Sequence, residues 1–390
     1  MQKINYPKDI ERFKDEYYKK VIASSKKKFI LNGKIDAVNE KLKEINPDLT
    51  FEKLLTASFF ELINYEKEFE NYIQCTVKNE LLDKYNEENE KGYIEFLLKK
   101  RNDNNIKWKD VDLKDANEKE NWKKKMKELN DVYKKELCSI LGGIKKILYE
   151  NNTIHERISE FFMENIKSQK KEDGLNLKTC FYCNIDFINV FQAENGKNKN
   201  HYTLDHIFSK NKYPFFSISL FNLVPCCSPC NSKFKLEKEF KRDALLKKII
   251  PSSEQYILNE LIEFRLKDAG DFLSKNKEDD LTVELTNLYR KGNVEDNIDK
   301  YLSIFQLKER YESHKEKADD ILKKRENYSE TQINEMSKLL GIPANQIKKD
   351  IFGKECFETN NEPFEKYKQD IAKQIGLFLL SNDSSKCKGN

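Results

Sequence analysis

Apolar residues recur three and four positions apart over most of the chain, the spacing that gathers them on one face of an α-helix. Ile10, Phe13, Tyr17 and Val21 form one such stripe, and Leu54, Leu55, Phe59, Leu62, Ile63 and Phe69 a richer one. A polar stretch at 102–119 reads as a loop, after which Leu137, Ile140, Leu141, Ile144, Ile147 and Leu148 resume the pattern. Leu258, Leu261, Ile262 and Phe264 continue it, followed by Ile298, Tyr301, Leu302 and Phe305. Only 12 Gly and 8 Pro punctuate 390 residues, so long helical runs meet few breaks. Ser329 to Gln332 has capping-box spacing; the helix it starts should stop at Gly341, with Pro343 opening another through Ile347 and Ile351. Two helices joined by so tight a turn have the shape of a DNA-reading helix-turn-helix, although most such pairs are packing units. Segments 51–75 and 364–380 are amphipathic and read as core or partner surface. No internal repeat, low-complexity tract or membrane span is visible.

The middle of the chain departs from this pattern. Residues 201–208 read as a strand, 211–219 as a loop containing Pro214, and 222–226 as a second short strand. Pro229 then opens a helix expected to run through Leu236 and Phe240, giving the order β, β, α. Asp205 and His206 would face opposite sides of a regular strand. They can serve one site only if the strand ends or bulges there, and such a departure is expected.

Cysteine spacing supplies the first chemistry. Cys180-Phe-Tyr-Cys183 and Cys227-Ser-Pro-Cys230 are two CxxC turns, and two such turns fill a closed tetrahedral zinc site of structural type. Cys226 is an alternative ligand, but the spacing favours Cys227 and the apolar run before Cys226 suits a small packed side chain. Nine cysteines without a signal peptide point to a reducing, cytoplasmic setting where clustered thiols hold metal. Cys75, Cys138, Cys356 and Cys387 have no partner at such spacing and are read as inert.

Between the two pairs lies what phosphodiester hydrolysis requires: a base for water, a cation for the developing charge, and groups to orient both. Asp205 is a hard oxygen ligand suited to Mg²⁺ or Mn²⁺, and the Asn231 amide oxygen can complete the protein's share of that coordination. His206 has an ordinary pKa near neutrality and is the natural general base, with Asn222 placed to support its imidazole. His155 and His314, in helical, charged surroundings, read as ordinary; His201 shares the Asp205 face of its strand and reads as a surface histidine, with a phosphate contact as the alternative. A zinc site of four cysteines alone is as often a passive nucleic-acid binder as part of an enzyme, and it is the added residues that favour catalysis.

These residues resemble the HNH endonucleases, whose core is the ββα-metal fold, in the branch that carries a CxxC pair on each side. The likeness covers about 175–245. It implies one divalent cation held by Asp205 and Asn231, His206 as base, Asn222 as the orienting residue, and products with 5′-phosphate and 3′-hydroxyl ends. Many relatives carry Lys or Arg three residues after the last Asn; here Phe234 stands there between Lys233 and Lys235. The stretch from Leu204 to Lys233, with Arg310 to Lys324 and the segment from Pro363, is similar to long bacterial HNH proteins linked to anti-phage defence. Some nucleases of that kind work with a separately encoded ATPase or sensor subunit, and this chain has no phosphate loop of its own.

Net charge is only +4, but residues 171–250 hold thirteen Lys/Arg against eight Asp/Glu, so the basic excess lies around the presumed site. Lys210, Lys212, Lys233 and Lys235 are the expected contacts to a nucleic-acid backbone. The sequence thus predicts a mainly α-helical body (1–170 and 246–390) with an embedded ββα-metal module (171–245) stapled by zinc. The function it implies is a DNA endonuclease needing Mg²⁺ or Mn²⁺. The alternatives are a zinc-stapled binding or scaffold protein without catalysis, and an HNH nuclease that cuts RNA.

Overall fold

The computed structural model describes residues 1–23, 28–84, 152–165, 174–210, 213–267, 281–290, 294–352 and 362–377, with scattered positions between 117 and 131. The predicted stripe at 137–148 and nearly all of the polar stretch at 102–119 lie outside these residues. The chain divides into two compact units that interleave in sequence: Met1–Ile10, Phe162–Ile207 and Leu223–Asn390 form one, and Glu11–Phe161 with Phe208–Asn222 the other. No helix among the described residues is long and apolar enough to cross a membrane.

The unit containing Glu11–Phe161 is built from α1 (Ile10–Tyr18), α2 (Lys28–Ile45), α3 (Phe51–Thr56), α4 (Phe59–Lys84) and α5 (Asn152–Glu164). Local chemistry sets its helix starts: Thr50 caps α3 by accepting from Lys53 N–H, and Ser58 and Glu61 exchange hydrogen bonds ahead of α4. Predicted stripe residues form its interior, with Phe13 and Tyr17 against Phe161 at ring-centroid distances of 4.9 and 5.0 Å. Phe208–Asn222 is an aromatic-rich loop whose rings join this core, with Phe215 stacked on Phe69 at 3.8 Å and Phe208 at 5.9 Å from Phe59. Its backbone is pinned by Tyr17 Oη donating to Ile218 O (2.6 Å) and by Ser219 Oγ donating to Leu54 O (2.8 Å).

Among its described residues the other unit carries three two-stranded antiparallel sheets: β1 (Val190–Gln192) with β2 (Asn198–Asn200), β3 (Thr203–His206) with β4 (Leu223–Cys226), and β5 (Ile262–Leu266) with β6 (Val283–Asn287). Its helices are α6 (Leu246–Ile249), α7 (Leu258–Leu261), α8 (Asn297–Ile304), α9 (Leu307–Glu312), α10 (Glu316–Asn327), α11 (Glu330–Leu340), α12 (Ala344–Phe352) and α13 (Glu365–Gln374). The stripe from Leu258 to Phe264 is not one helix. α7 ends at Leu261, and strand alternation takes over, with Ile262, Phe264 and Leu266 buried while Glu263 and Arg265 are not. α13 secures β5 through side chains: Asp370 accepts from Phe264 N–H, and Gln374 bonds both N–H and C=O of Leu266.

The predicted helix pair is present as α11 and α12. Ser329 and Gln332 form the reciprocal capping box, and Gly341 ends α11 in the left-handed region at φ +66°. Lys348 pairs with Glu330 and Gln346 with Asp350, so several polar groups are engaged within the pair itself.

Asn222 has no exposed surface and makes three hydrogen bonds inside the aromatic loop: Oδ1 accepts from Phe208 N–H (2.8 Å), and Nδ2 donates to Phe208 O (3.2 Å) and Phe216 O (2.8 Å). An alanine there strands buried backbone groups, so Asn222→Ala is expected to lose about 3 kcal/mol of stability. Urea unfolding followed by circular dichroism checks this; a loss within experimental error would show that the loop reorganises around the missing amide.

Candidate metal centre

The first CxxC turn is shaped by Asn184. At φ +54° it occupies the left-handed region that Asn tolerates better than most residues, and it closes the turn by donating N–H to Cys180 O at 2.8 Å. Cys180 N–H donates to Asp186 O (2.9 Å), and Ile185 N–H points at Cys183 Sγ (3.5 Å). The Asn184 amide ties this turn to the chain ahead of α13, donating to Thr179 Oγ1 and Glu362 O at 2.9 Å each and accepting from Glu365 N–H at 3.0 Å. Two tyrosines hold it from the other side: Tyr301 of α8 donates to Tyr182 O (2.8 Å) and Tyr311 of α9 to Cys183 O (2.7 Å).

The second CxxC leaves β4 and opens a helical turn, as expected, but the turn is a π-helix confined to Cys230–Lys235. Leu236 N–H reaches back five residues to Asn231 O (3.1 Å), and Leu236 itself, at φ +49°, ends the helix well before Phe240. The extra residue in a π-turn rotates Lys235 inward.

Cys180, Cys183, Cys227 and Cys230 are all buried, and their sulfurs lie within 4.8 Å of one another. A tetrahedral Zn–S site with bonds of about 2.3 Å requires sulfurs about 3.8 Å apart, and Cys183 and Cys227 are separated by 3.9 Å. The four are therefore close enough to hold a metal ion such as zinc. Cys226 stands outside the group, fully buried with its sulfur 3.7 Å from Thr203 Oγ1. Burial opposes ionisation of Cys183, yet hydrogen bonds from Cys180, Cys227 and Cys230, with the Arg310 charge, carry its pKa well below the usual thiol value. Cys227 and Cys230 are pushed the other way, chiefly by their hydrogen bonds to Cys180 and Cys183. Four adjacent sulfurs do not all ionise without a cation among them, which is the electrostatic condition a divalent metal meets.

β3 and β4 pair in continuous register, Asp205 opposite Val224 and His206 opposite Leu223, with no bulge; β3 ends at His206. The π-turn packs on β3, so the strand bearing Asp205 and His206 and the turn bearing Asn231 adjoin one another on the cysteine scaffold. Asp205 is 3% exposed, whereas His206 is half-buried. Asp205 Oδ2 accepts from Tyr182 Oη (2.7 Å), and Lys235 Nζ lies 3.2 Å from Oδ1 and 3.0 Å from Oδ2 while donating to His206 O at 2.7 Å. Burial raises the Asp205 pKa; the Lys235 ammonium and the Tyr182 hydroxyl act against that shift.

Lys235 is thus not a surface cation. It is 2% exposed, and its charge is committed to Asp205. Lys210 and Lys233 are exposed, and Lys212 lies outside the described residues. Asn231 is half-buried, with no hydrogen bond from its amide among the described residues. The Asn222 amide, expected to orient His206, is spent on the backbone of Phe208 and Phe216. Sequence reasoning missed Tyr182 and Lys235 as partners of Asp205, and it missed Asn184, whose place directly after a CxxC was the available signal. No family model, curated protein or solved structure matches this chain.

Cys180→Ser and Cys230→Ser are each expected to lose bound zinc and cooperative unfolding, while Cys226→Ser keeps both; metal analysis of the purified proteins with thermal melts checks this. For the buried ion pair, Lys235→Met alone should cost about 3 kcal/mol by leaving Asp205 without its counter-charge. The double variant Asp205→Leu/Lys235→Met should recover most of that loss, and equal stability of single and double variants in urea would contradict the pairing.

Proposed function

We propose that this protein is a divalent-metal-dependent endonuclease of the HNH kind that hydrolyses phosphodiester bonds in DNA, acting in bacterial defence against phage. The observation that carries the reading is the hairpin-then-helix arrangement on the cysteine scaffold, with Asp205 and His206 at the end of β3 and Asn231 on the turn packed against it. A half-buried imidazole at a strand end can take a proton from water, and a carboxylate and an amide on adjoining elements are the oxygen ligands a small hard cation accepts. Mg²⁺ or Mn²⁺ bound there would neutralise charge on the phosphate. Lys210 and Lys233, both exposed, would contact the backbone. Asp205 becomes a ligand in this scheme only as Lys235 gives up its hold on the carboxylate. The link to phage defence, and to an ATPase or sensor subunit, rests on the likeness of the central stretch to long bacterial HNH proteins.

A second reading is favoured by one observation. Asp205 is already satisfied by Lys235 and Tyr182, which suits a zinc-stapled nucleic-acid-binding or scaffold protein that cuts nothing. Plasmid DNA incubated with the protein and Mn²⁺ or Mg²⁺ separates the two, with a chelator control and a parallel RNA substrate. The nuclease reading expects nicking that needs the divalent ion and falls at least about 100-fold in His206→Ala, a loss of the size general-base removal produces, with zinc content and helicity unchanged. Salt-sensitive binding without nicking in any condition would favour the scaffold, and full activity in His206→Ala would remove the proposed base.

A further inference from the structure

Arg310, on α9, reaches the cysteine cluster from a segment far away in sequence. Its Nη1 donates to Cys230 Sγ at 3.4 Å and its Nη2 to Cys183 Sγ at 3.5 Å, so one guanidinium bonds one sulfur from each CxxC turn. The same Nη2 meets Asp186 Oδ2 at 3.1 Å, and the guanidinium carbon lies 4.9 Å from the Phe234 ring centroid, on the π-turn that follows Cys230. The side chain is only 17% exposed. Nη1 also donates to Phe305 O at 3.4 Å, which anchors the fork at the end of α8; its other contacts belong to, or border, the two turns, and Tyr311, the next residue, bonds Cys183 O.

Four thiolates around one divalent ion leave a net charge of −2, and N–H donors aimed at the sulfurs disperse it. Arginine suits this task better than lysine because its planar fork presents two donors at once to acceptors on separate segments. We infer that Arg310 is the counter-charge and clamp of the metal-loaded cluster: it bridges the two CxxC turns, stabilises the anionic sulfurs and slows metal loss. It is a positioning residue of the metal centre and has no part in phosphodiester chemistry. The inference rests on the cluster holding metal and is independent of whether the protein cuts DNA.

Zinc loss to the chromogenic chelator 4-(2-pyridylazo)resorcinol, followed by absorbance on the full-length protein, tests this. Removing partners of this kind costs about 10- to 100-fold in metal affinity, so Arg310→Met is expected to accelerate zinc release within that range. Arg310→Lys, which keeps charge but cannot span both sulfurs, should fall between Met and parent, whereas Arg265→Met, an exposed site on β5, should match the parent. Phe234→Leu, which removes the ring packed 4.9 Å from the guanidinium carbon, should accelerate release several-fold, and it carries the test if Arg310→Met does not fold. A folded Arg310→Met with parental release kinetics overturns the inference, as does an unchanged rate in Phe234→Leu where that variant stands in. A parent that takes up no zinc fails instead at the cluster itself, and stoichiometry measured beforehand tells the two failures apart.

Discussion

Convergence of four thiols from two distant segments is the constraint on which the centre of this protein depends. Cys180 and Cys183 lie on a turn closed by Asn184, and Cys227 and Cys230 follow directly after β4. Each turn is short and has little core of its own, so closure of the cluster fixes both ends of a long loop at once. Around it the unit supplies rigid supports: tyrosines of α8 and α9 bond the carbonyls of the first turn, and Tyr182 stacks on Phe305 at 4.5 Å. What lies beside the cluster, β3 and the π-turn, inherits its position from it.

A second interaction determines what the adjoining strand can do. Asp205, Lys235 and Tyr182 form a buried hydrogen-bonded ion pair, and such pairs seldom return their desolvation cost in stability. The pair is instead specific. It ties the last residue of the π-turn to β3, and it draws the His206 carbonyl into the same contact.

Much of this was legible in the chain. The CxxC spacing identified the four clustered cysteines and set Cys227 ahead of Cys226, because two-residue spacing is a local geometric requirement of one tetrahedral ion. The two hairpin strands and the capping box at Ser329 were equally local, whereas the helix expected through Leu236 and Phe240 is a π-turn ending at Lys235. What escaped reading was either non-local or a change of period. Arg310 lies far along the chain from the sulfurs it meets, and nothing at position 310 announces a thiolate partner. Lys235 was read with the basic excess around the site as a contact to nucleic acid, and its burial against Asp205 depends on a partner on another element. Leu258 to Phe264 looked like one helical stripe because helical spacing and strand alternation share several positions in a run that short.

The chain leaves the cysteine-bearing unit after Ile207 and returns at Leu223, and that excursion completes the core of the other unit through Phe208, Phe215 and Asn222. During translation, then, the N-terminal helices emerge long before the segment that finishes their packing. The last two sulfurs follow that segment from the ribosome almost at once. The helical unit can therefore close first, whereas the cysteine-bearing unit waits for Tyr301 and Tyr311 to bond its first turn; until Phe208–Asn222 is made, Phe59 and Phe69 lack their ring partners.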